Sequence, residues 1–147
     1  LYENRYRWLD SDVYETAAYT HDQFQPPPAR FNPPHSDYGL DTDNDNFYNY
    51  LVVGVRLAVV TPGSYRLSAT LYDNSGRYIT YERVDNYLER GTQTVEISFN
   101  GRRIYRSGRD GPYKVRLRLY ENRYRWLDSD VYETAAYTHD QFQPPPI

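Results

Sequence analysis

Residues 41–49 read DTDNDNFYN, with carboxylates at Asp41, Asp43 and Asp45. Acidic residues at alternate positions of a tight loop aim several hard oxygen ligands at one point, the donor set that Ca2+ takes. In a calcium loop of the EF-hand type the first, third and fifth positions give side-chain oxygens and the seventh a backbone carbonyl. Here the seventh position is Phe47 and the ninth is Asn49. The sixth, where glycine is usual, is Asn46, the residue next best suited to a positive φ. The twelfth is Val52, so the usual bidentate glutamate is missing, and a β pattern follows instead of a helix. Further ligands would have to come from elsewhere in the chain, and Asp37, Asp110, Asp128 and Asp130 are the candidates. The expected role of Ca2+ is structural. A solvated Asx-rich turn without metal uses the same residues, and Asp128-Ser129-Asp130 equally suits a capped turn between strands.

Other chemistry is thinly represented. There is no cysteine, hence no thiolate nucleophile, disulfide or thiolate metal site. No GxSxG, HExxH or phosphate-cradling glycine loop occurs. His21, His35 and His139 lie in or beside polar stretches without zinc-ligand spacing. No enzyme chemistry is therefore assigned. Exposed aromatic residues on a β surface can instead stack on sugar rings, and Trp126 with Tyr124 is the place to look for carbohydrate binding. The competing use of such rings is packing within the protein. Lys114, Arg116 and Arg118 alternate along one strand pattern and read as a solvated face with acidic cross-strand partners, a basic binding stripe being the alternative.

The elements that position these residues are β throughout. YLVVGVRLAVV (50–60) alternates Leu51, Val53, Val55, Leu57 and Val59 against a second face, the period of a strand with one buried side. TPGS and DNSG mark turns on either side of YRLSATLY, with Leu67, Ala69 and Leu71 inward. RYITYERV, TVEISF (Val95, Ile97 and Phe99 inward) and YKVRLRLY (Val115, Leu117 and Leu119 inward) follow, then RYRWL and VYETAAY. GRRIYRSG is read as one short helical turn. About seven strands predict an all-β, antiparallel two-sheet Ig-like sandwich, a small closed barrel being the alternative. Eighteen tyrosines among 147 residues suit half-buried strand faces. The net charge of -3 offers no broad basic field to nucleic acid, and no apolar run reaches the length of a membrane span.

Residues 23–36, QFQPPPARFNPPHS, hold five prolines in fourteen positions and are expected to form an extended linker. A larger regularity surrounds it. LYENRYRWLDSDVYETAAYTHDQFQPPP occupies residues 1–28 and recurs without change at 119–146, an offset of 118 residues. That spacing fits one sandwich plus one linker and signals a repeat array. The expected organisation is 1–22 as closing strands of a preceding module or strands donated to a neighbour, 23–36 as linker, 37–138 as the sandwich, and 139–147 as the next linker. With no methionine, the chain is expected to be a mature form, a fragment or a window on a longer protein. Linear assembly with other copies, as a tandem array or homo-polymer, would engage Leu1, Tyr2, Tyr6, Trp8, Val13 and Tyr14. The expectation is a structural module of an extracellular filament or surface stalk; the alternative is a carbohydrate-binding or adhesion module of a secreted multidomain protein.

YGLDTDNDNFYNYLVVGVRLAVVTPGSYRLSATLYDNSGRYI and GTQTVEISFNGRRIYRSGRDGPYKVRLRLY together resemble β-sandwich modules of large secreted and cell-surface proteins of archaea and bacteria. In these a D-x-D-x-D-G-x-x-D loop precedes a long strand, a G-x-Y turn opens the next, and a D-G-P-Y turn opens a late one. The resemblance covers roughly residues 38–138. It implies an extracellular, Ig-like, calcium-stabilised and non-catalytic module. This chain has Asn46 and Asn49 where the pattern has glycine and aspartate.

Overall fold

A computed structural model of the chain describes residues 2–3, 7–8, 13–15 and 26–146. Among the described residues, strands β1 (Tyr2–Glu3) and β2 (Arg7–Trp8) pair with each other and with no further strand. The sandwich is built from β3 (Ala29–Phe31), β4 (Ser36–Leu40), β5 (Tyr50–Val59), β6 (Gly63–Tyr72), β7 (Tyr78–Leu88), β8 (Gly91–Asn100), β9 (Lys114–Glu121) and β10 (Arg125–Glu133). One sheet has the order β10-β9-β6-β7; in the other, β5 pairs with β8 along one edge and with β3 and β4 along the other. All these pairings are antiparallel. The result is the expected two-sheet antiparallel sandwich.

Period-two alternation sets the inner faces. Alternate residues of β5, β6, β8 and β9 interleave in one buried cluster that includes Leu51, Leu57, Leu71, Phe99 and Leu117. Each such side chain contributes about 1.5–3 kcal/mol through removal from water. The helical turn is α1 (Gly101–Ser107), which begins where the Asn100 side chain accepts the Arg102 N–H at 2.8 Å. Gly101 is required there: a Cβ would lie 2.3 Å from the Tyr48 carbonyl oxygen. After α1, the DGPY sequence places Tyr113 at the entry to β9, fully buried, its hydroxyl donating to the Arg109 carbonyl at 2.7 Å. This is the tyrosine corner of Ig-like sandwiches.

Two expectations about strands need correction. RYRWL and VYETAAY form one strand, β10, with a bulge between Trp126 and Asp128. The seventh strand position comes instead from within the proline-rich stretch. Ala29–Phe31 and Ser36–Leu40 lie in succession along the same edge of β5, and Ala29 and Phe31 belong to the core. The prolines do not prevent this. Pro33 and Pro34 fall in the interval between the two paired pieces, where no ladder N–H is demanded. Pro28 contributes only its carbonyl, which accepts from Val60 N–H at 2.8 Å and Thr61 N–H at 3.1 Å.

The region after residue 138 also packs onto the sandwich instead of leaving it as a linker. Phe142 is fully buried against the rings of Tyr48, Tyr113 and Tyr137. Its backbone neighbours bond to Tyr48, with Tyr48 N–H donating to the Gln141 carbonyl and Gln143 N–H to the Tyr48 carbonyl, each at 2.9 Å. The apolar ring of Phe142, not the three prolines beyond it, decides where this segment lies.

The two copies of the repeated segment share one hairpin register. Tyr2 faces Trp8 and Glu3 faces Arg7 in β1–β2, while Tyr120 faces Trp126 and Glu121 faces Arg125 in β9–β10. Among the assembly candidates, Leu1 and Tyr6 lie outside the described residues, Tyr2 and Trp8 fall in β1 and β2, and Val13 and Tyr14 are exposed. The expected division at residues 1–22 falls mostly outside the described residues.

Candidate functional site

The aspartate loop spans the gap between β4 and β5. Its backbone turns twice through left-handed conformations, at Asn44 (φ 63°) and Asn46 (φ 72°), which asparagine tolerates well. Asp41 organises the turn: one carboxylate oxygen accepts the Asn44 N–H at 2.8 Å and the other the Asn46 N–H at 2.9 Å. Asp45 accepts the Phe47 N–H at 3.0 Å, and the Asn49 side chain accepts the Thr42 N–H at 2.7 Å. One oxygen from each of Asp41, Asp43 and Asp45 lies within 4.8 Å of the other two.

Desolvation, then Asp45 and Asp41, pushes the Asp43 carboxyl above the usual carboxylate range. Desolvation acts the same way on Asp41 but is outweighed by hydrogen bonds, chiefly from the Asn46 N–H, so that carboxyl is held low. An oxygen-only donor set of this kind fits Ca2+, and each bonded Asp41 oxygen keeps a second lone pair for a cation.

The other four aspartates are engaged elsewhere. Asp37 accepts from the hydroxyls of Tyr132 and Tyr137, the latter at 2.7 Å. Asp110 accepts the His139 N–H at 2.7 Å and pairs with the His139 ring. Asp128 accepts the Phe31 N–H at 2.9 Å, and Asp130 accepts from His35 at 2.8 Å. Asp37, Asp128 and Asp130 therefore stitch β4, β3 and their connection to the β10 side of the molecule.

A second group of candidate side chains lies on the outer face of the β10-β9-β6-β7 sheet. Residues paired across antiparallel strands share a face, so the registers arrange it in rows. Trp126, Tyr120, Arg66 and Asp85 form one row; Ser129, Arg118, Ser68 and Arg83 form the next; Val131, Arg116, Thr70 and Tyr81 form the third. An open groove of about 850 Å³ lies over the β9–β10 side, lined by Trp126, Tyr120, Arg116, Arg118, Ser129, Val131 and one carboxylate, Asp130. Trp126 is 57% exposed there. Tyr124, the expected companion of Trp126, is 86% exposed at the turn between β9 and β10 and does not line the groove. Its place beside Trp126 is taken by Tyr120, which sequence proximity alone does not reveal.

The expectation of acidic cross-strand partners holds for Lys114, which faces Glu133, but not for its neighbours. Arg116 sits between Val131 and Thr70, with its guanidinium 5.5 Å from the centre of the Tyr72 ring. Arg118 sits between Ser129 and Ser68. Arg66, by contrast, grips Asp85 through two hydrogen bonds of 2.7 and 3.0 Å.

No protein-family model and no curated protein matches the chain. Among solved structures, it is similar to a calcium-binding mutant of beta-glucuronidase 2 from Bacteroides uniformis, with a TM-score of 0.53 and 15% identity over 76% of this chain. It is also similar to a glycosyl hydrolase family 2 member from Bacteroides cellulosilyticus, with a TM-score of 0.51 and 13% identity over 71% of this chain. In both cases the chain spans 15% of the other protein's length. At this identity the likeness is one of fold.

Proposed function

We propose that this chain is a non-catalytic, carbohydrate-binding module of a secreted or surface-exposed protein, holding sugar on the outer face of its four-stranded sheet. The observation that carries this reading is the pairing of Trp126 with Tyr120 across neighbouring strands at the rim of a groove. An exposed indole beside a phenol presents apolar ring faces with polar edges, which suits the mixed apolar and hydroxyl surface of a sugar. Ser129, Arg116 and Arg118 supply hydrogen-bond donors next to those rings. That the fold also occurs in carbohydrate-active proteins supports the same direction. The linear-assembly expectation has no comparable support among the described residues. No helix among them is long and apolar enough to cross a membrane.

Ca2+ belongs to this proposal as a structural ion. Asp41, Asp43 and Asp45 would hold it, and it would neutralise three crowded carboxylates beside the start of β5.

A panel of immobilised polysaccharides, neutral and acidic, tests the function. At least one is expected to retain the protein, and Trp126→Ala to weaken that retention by about tenfold or more while near-UV circular dichroism stays native. Tyr124→Ala, outside the groove, is expected to leave it unchanged. Absence of binding to the whole panel, or full binding by the folded Trp126→Ala protein, would overturn the reading.

A further inference from the structure

We propose that the sugar this face takes is acidic: a polysaccharide carrying carboxylates along its chain, a polyuronate. The inference rests on the carbohydrate reading above and adds the charge of the ligand. Three arginines on the outer face, Arg83, Arg116 and Arg118, take part in no ion pair among the described residues. Arg118 and Arg83 flank Ser68 in a single row, one strand to each side, and Arg116 lies beside Thr70 in the next. Every cross-strand neighbour of the three is neutral. Strand geometry puts Arg116 and Arg118 about 7 Å apart along β9, and Arg83 about 10 Å from Arg118 across β6.

On this same face Arg66 meets a carboxylate, Asp85, at ion-pair distance, whereas among the described residues Arg83, Arg116 and Arg118 do not. Behind the Arg66 hydrogen bond, Arg83 helps hold the Asp85 carboxyl low, and Asp130, bonded to His35, lines the groove with Arg116 and Arg118. The three guanidinium groups nevertheless lie in adjacent rows, and an anionic partner relieves their mutual repulsion. Guanidinium forks match carboxylates with two parallel hydrogen bonds. Trp126 and Tyr120 border the cationic rows on one side, while Tyr81 ends the row of Arg116 on the other. Ring faces at the margins and guanidinium groups between them match a chain of sugar rings with regularly spaced carboxylates. Single-stranded nucleic acid also combines stacking with negative charge, but its dense phosphates would meet a protein that is acidic as a whole.

The test is titration of the full chain with polygalacturonate, with the same polymer after methyl esterification, and with single-stranded DNA. Polygalacturonate is expected to bind, with an affinity that falls as ionic strength rises. Esterification, which removes the charge and keeps the sugar backbone, is expected to weaken binding by about tenfold or more. The double variant Arg116→Gln/Arg118→Gln is expected to lose a similar factor toward polygalacturonate. Both positions are exposed, so its fold is expected to be intact, with Arg83→Gln as a second variant should it not be. Equal binding of the charged and esterified polymers, or full polygalacturonate binding by the folded arginine variants, would overturn the acidic assignment and leave the carbohydrate reading standing. Binding to neutral polysaccharides only would do the same. Tighter binding to DNA than to polygalacturonate would overturn both, as would no binding to any polysaccharide.

Discussion

His35 and Asp130 are joined across the edge of the sandwich, imidazole Nε2 to carboxylate Oδ2, at 2.8 Å. The other ring nitrogen of His35 accepts the Arg56 backbone N–H at 3.0 Å, filling the break in the ladder between β3 and β4. Accepting at Nδ1 fixes the proton on Nε2, so the neutral ring donates to Asp130. The His35 side chain is only 2% exposed. His35→Ala therefore leaves the Arg56 N–H without its partner and one oxygen of Asp130 without its donor, the other still accepting the Val131 N–H at 2.9 Å. The expected loss is about 2–3 kcal/mol, read as a fall in melting temperature of roughly 8–12 °C. A loss below about 0.5 kcal/mol, the scale of an ordinary surface change, would show that the seam does not hold the edge strand.

Asp37 organises the neighbouring part of the seam through Tyr132 and Tyr137. Burial, then the Asp37 hydrogen bond and its negative charge, pushes both phenols above the ordinary tyrosine range. Burial does the same to Tyr113. A group whose pKa is raised by folding stabilises the protein fully below its unfolded value, and that stability is lost as pH climbs through the folded value. Stability is thus expected to hold to about pH 10 and to decline above it. In a titration of tyrosinate absorbance, Tyr113, Tyr132 and Tyr137 are expected to ionise above the ordinary tyrosine range. Asp37→Ala should bring Tyr132 and Tyr137 to lower pH and leave Tyr113 in place. A shift of all three together would mean general loosening instead.

Calcium makes a prediction with a crossing sign. With Ca2+ at about a hundred times its dissociation constant, stability is expected to rise by about 2.7 kcal/mol. Asp43→Asn removes one carboxylate from a crowded set of three, so without Ca2+ the variant is expected to melt no lower than wild type. With Ca2+ the order reverses, because the ion has lost a ligand. Melting curves of both proteins in chelator and in Ca2+ supply the four values. An unchanged wild-type curve would sink the structural-ion reading.

The inner faces of the sandwich are legible in the sequence because period-two alternation is a local signal. Leu51 to Val59 and Val115 to Leu119 announce which side is buried without reference to any partner strand. The helical turn α1 is legible for the same reason, through GRRIYRSG, and the entry to β9 through the DGPY turn of the resemblance. The edge strand is not. Proline counts against strand structure on average, but at Pro33 and Pro34 the penalty vanishes because no ladder bond is required there. The outer face is hidden more deeply. That Trp126 faces Tyr120, and that Arg83 and Arg118 share a row, depends on registers between strands distant in sequence. Alternation places Arg118 on the outside, but cannot say that Ser129, and not an acid, lies opposite.

The shared register of β1–β2 and β9–β10 bears on how the protein folds. The same residues adopt the same pairing in β9–β10, beside β6, and in β1–β2, which has no further strand beside it among the described residues, so the pairing is specified within these few residues. Isolated hairpins close in about 1–10 μs. The bond between Phe31 and Asp128, by contrast, joins residues 97 positions apart. Loop-closure entropy delays such contacts. The β9–β10 hairpin is accordingly expected among the first structures to form, and the seam that fastens the edge strand among the last.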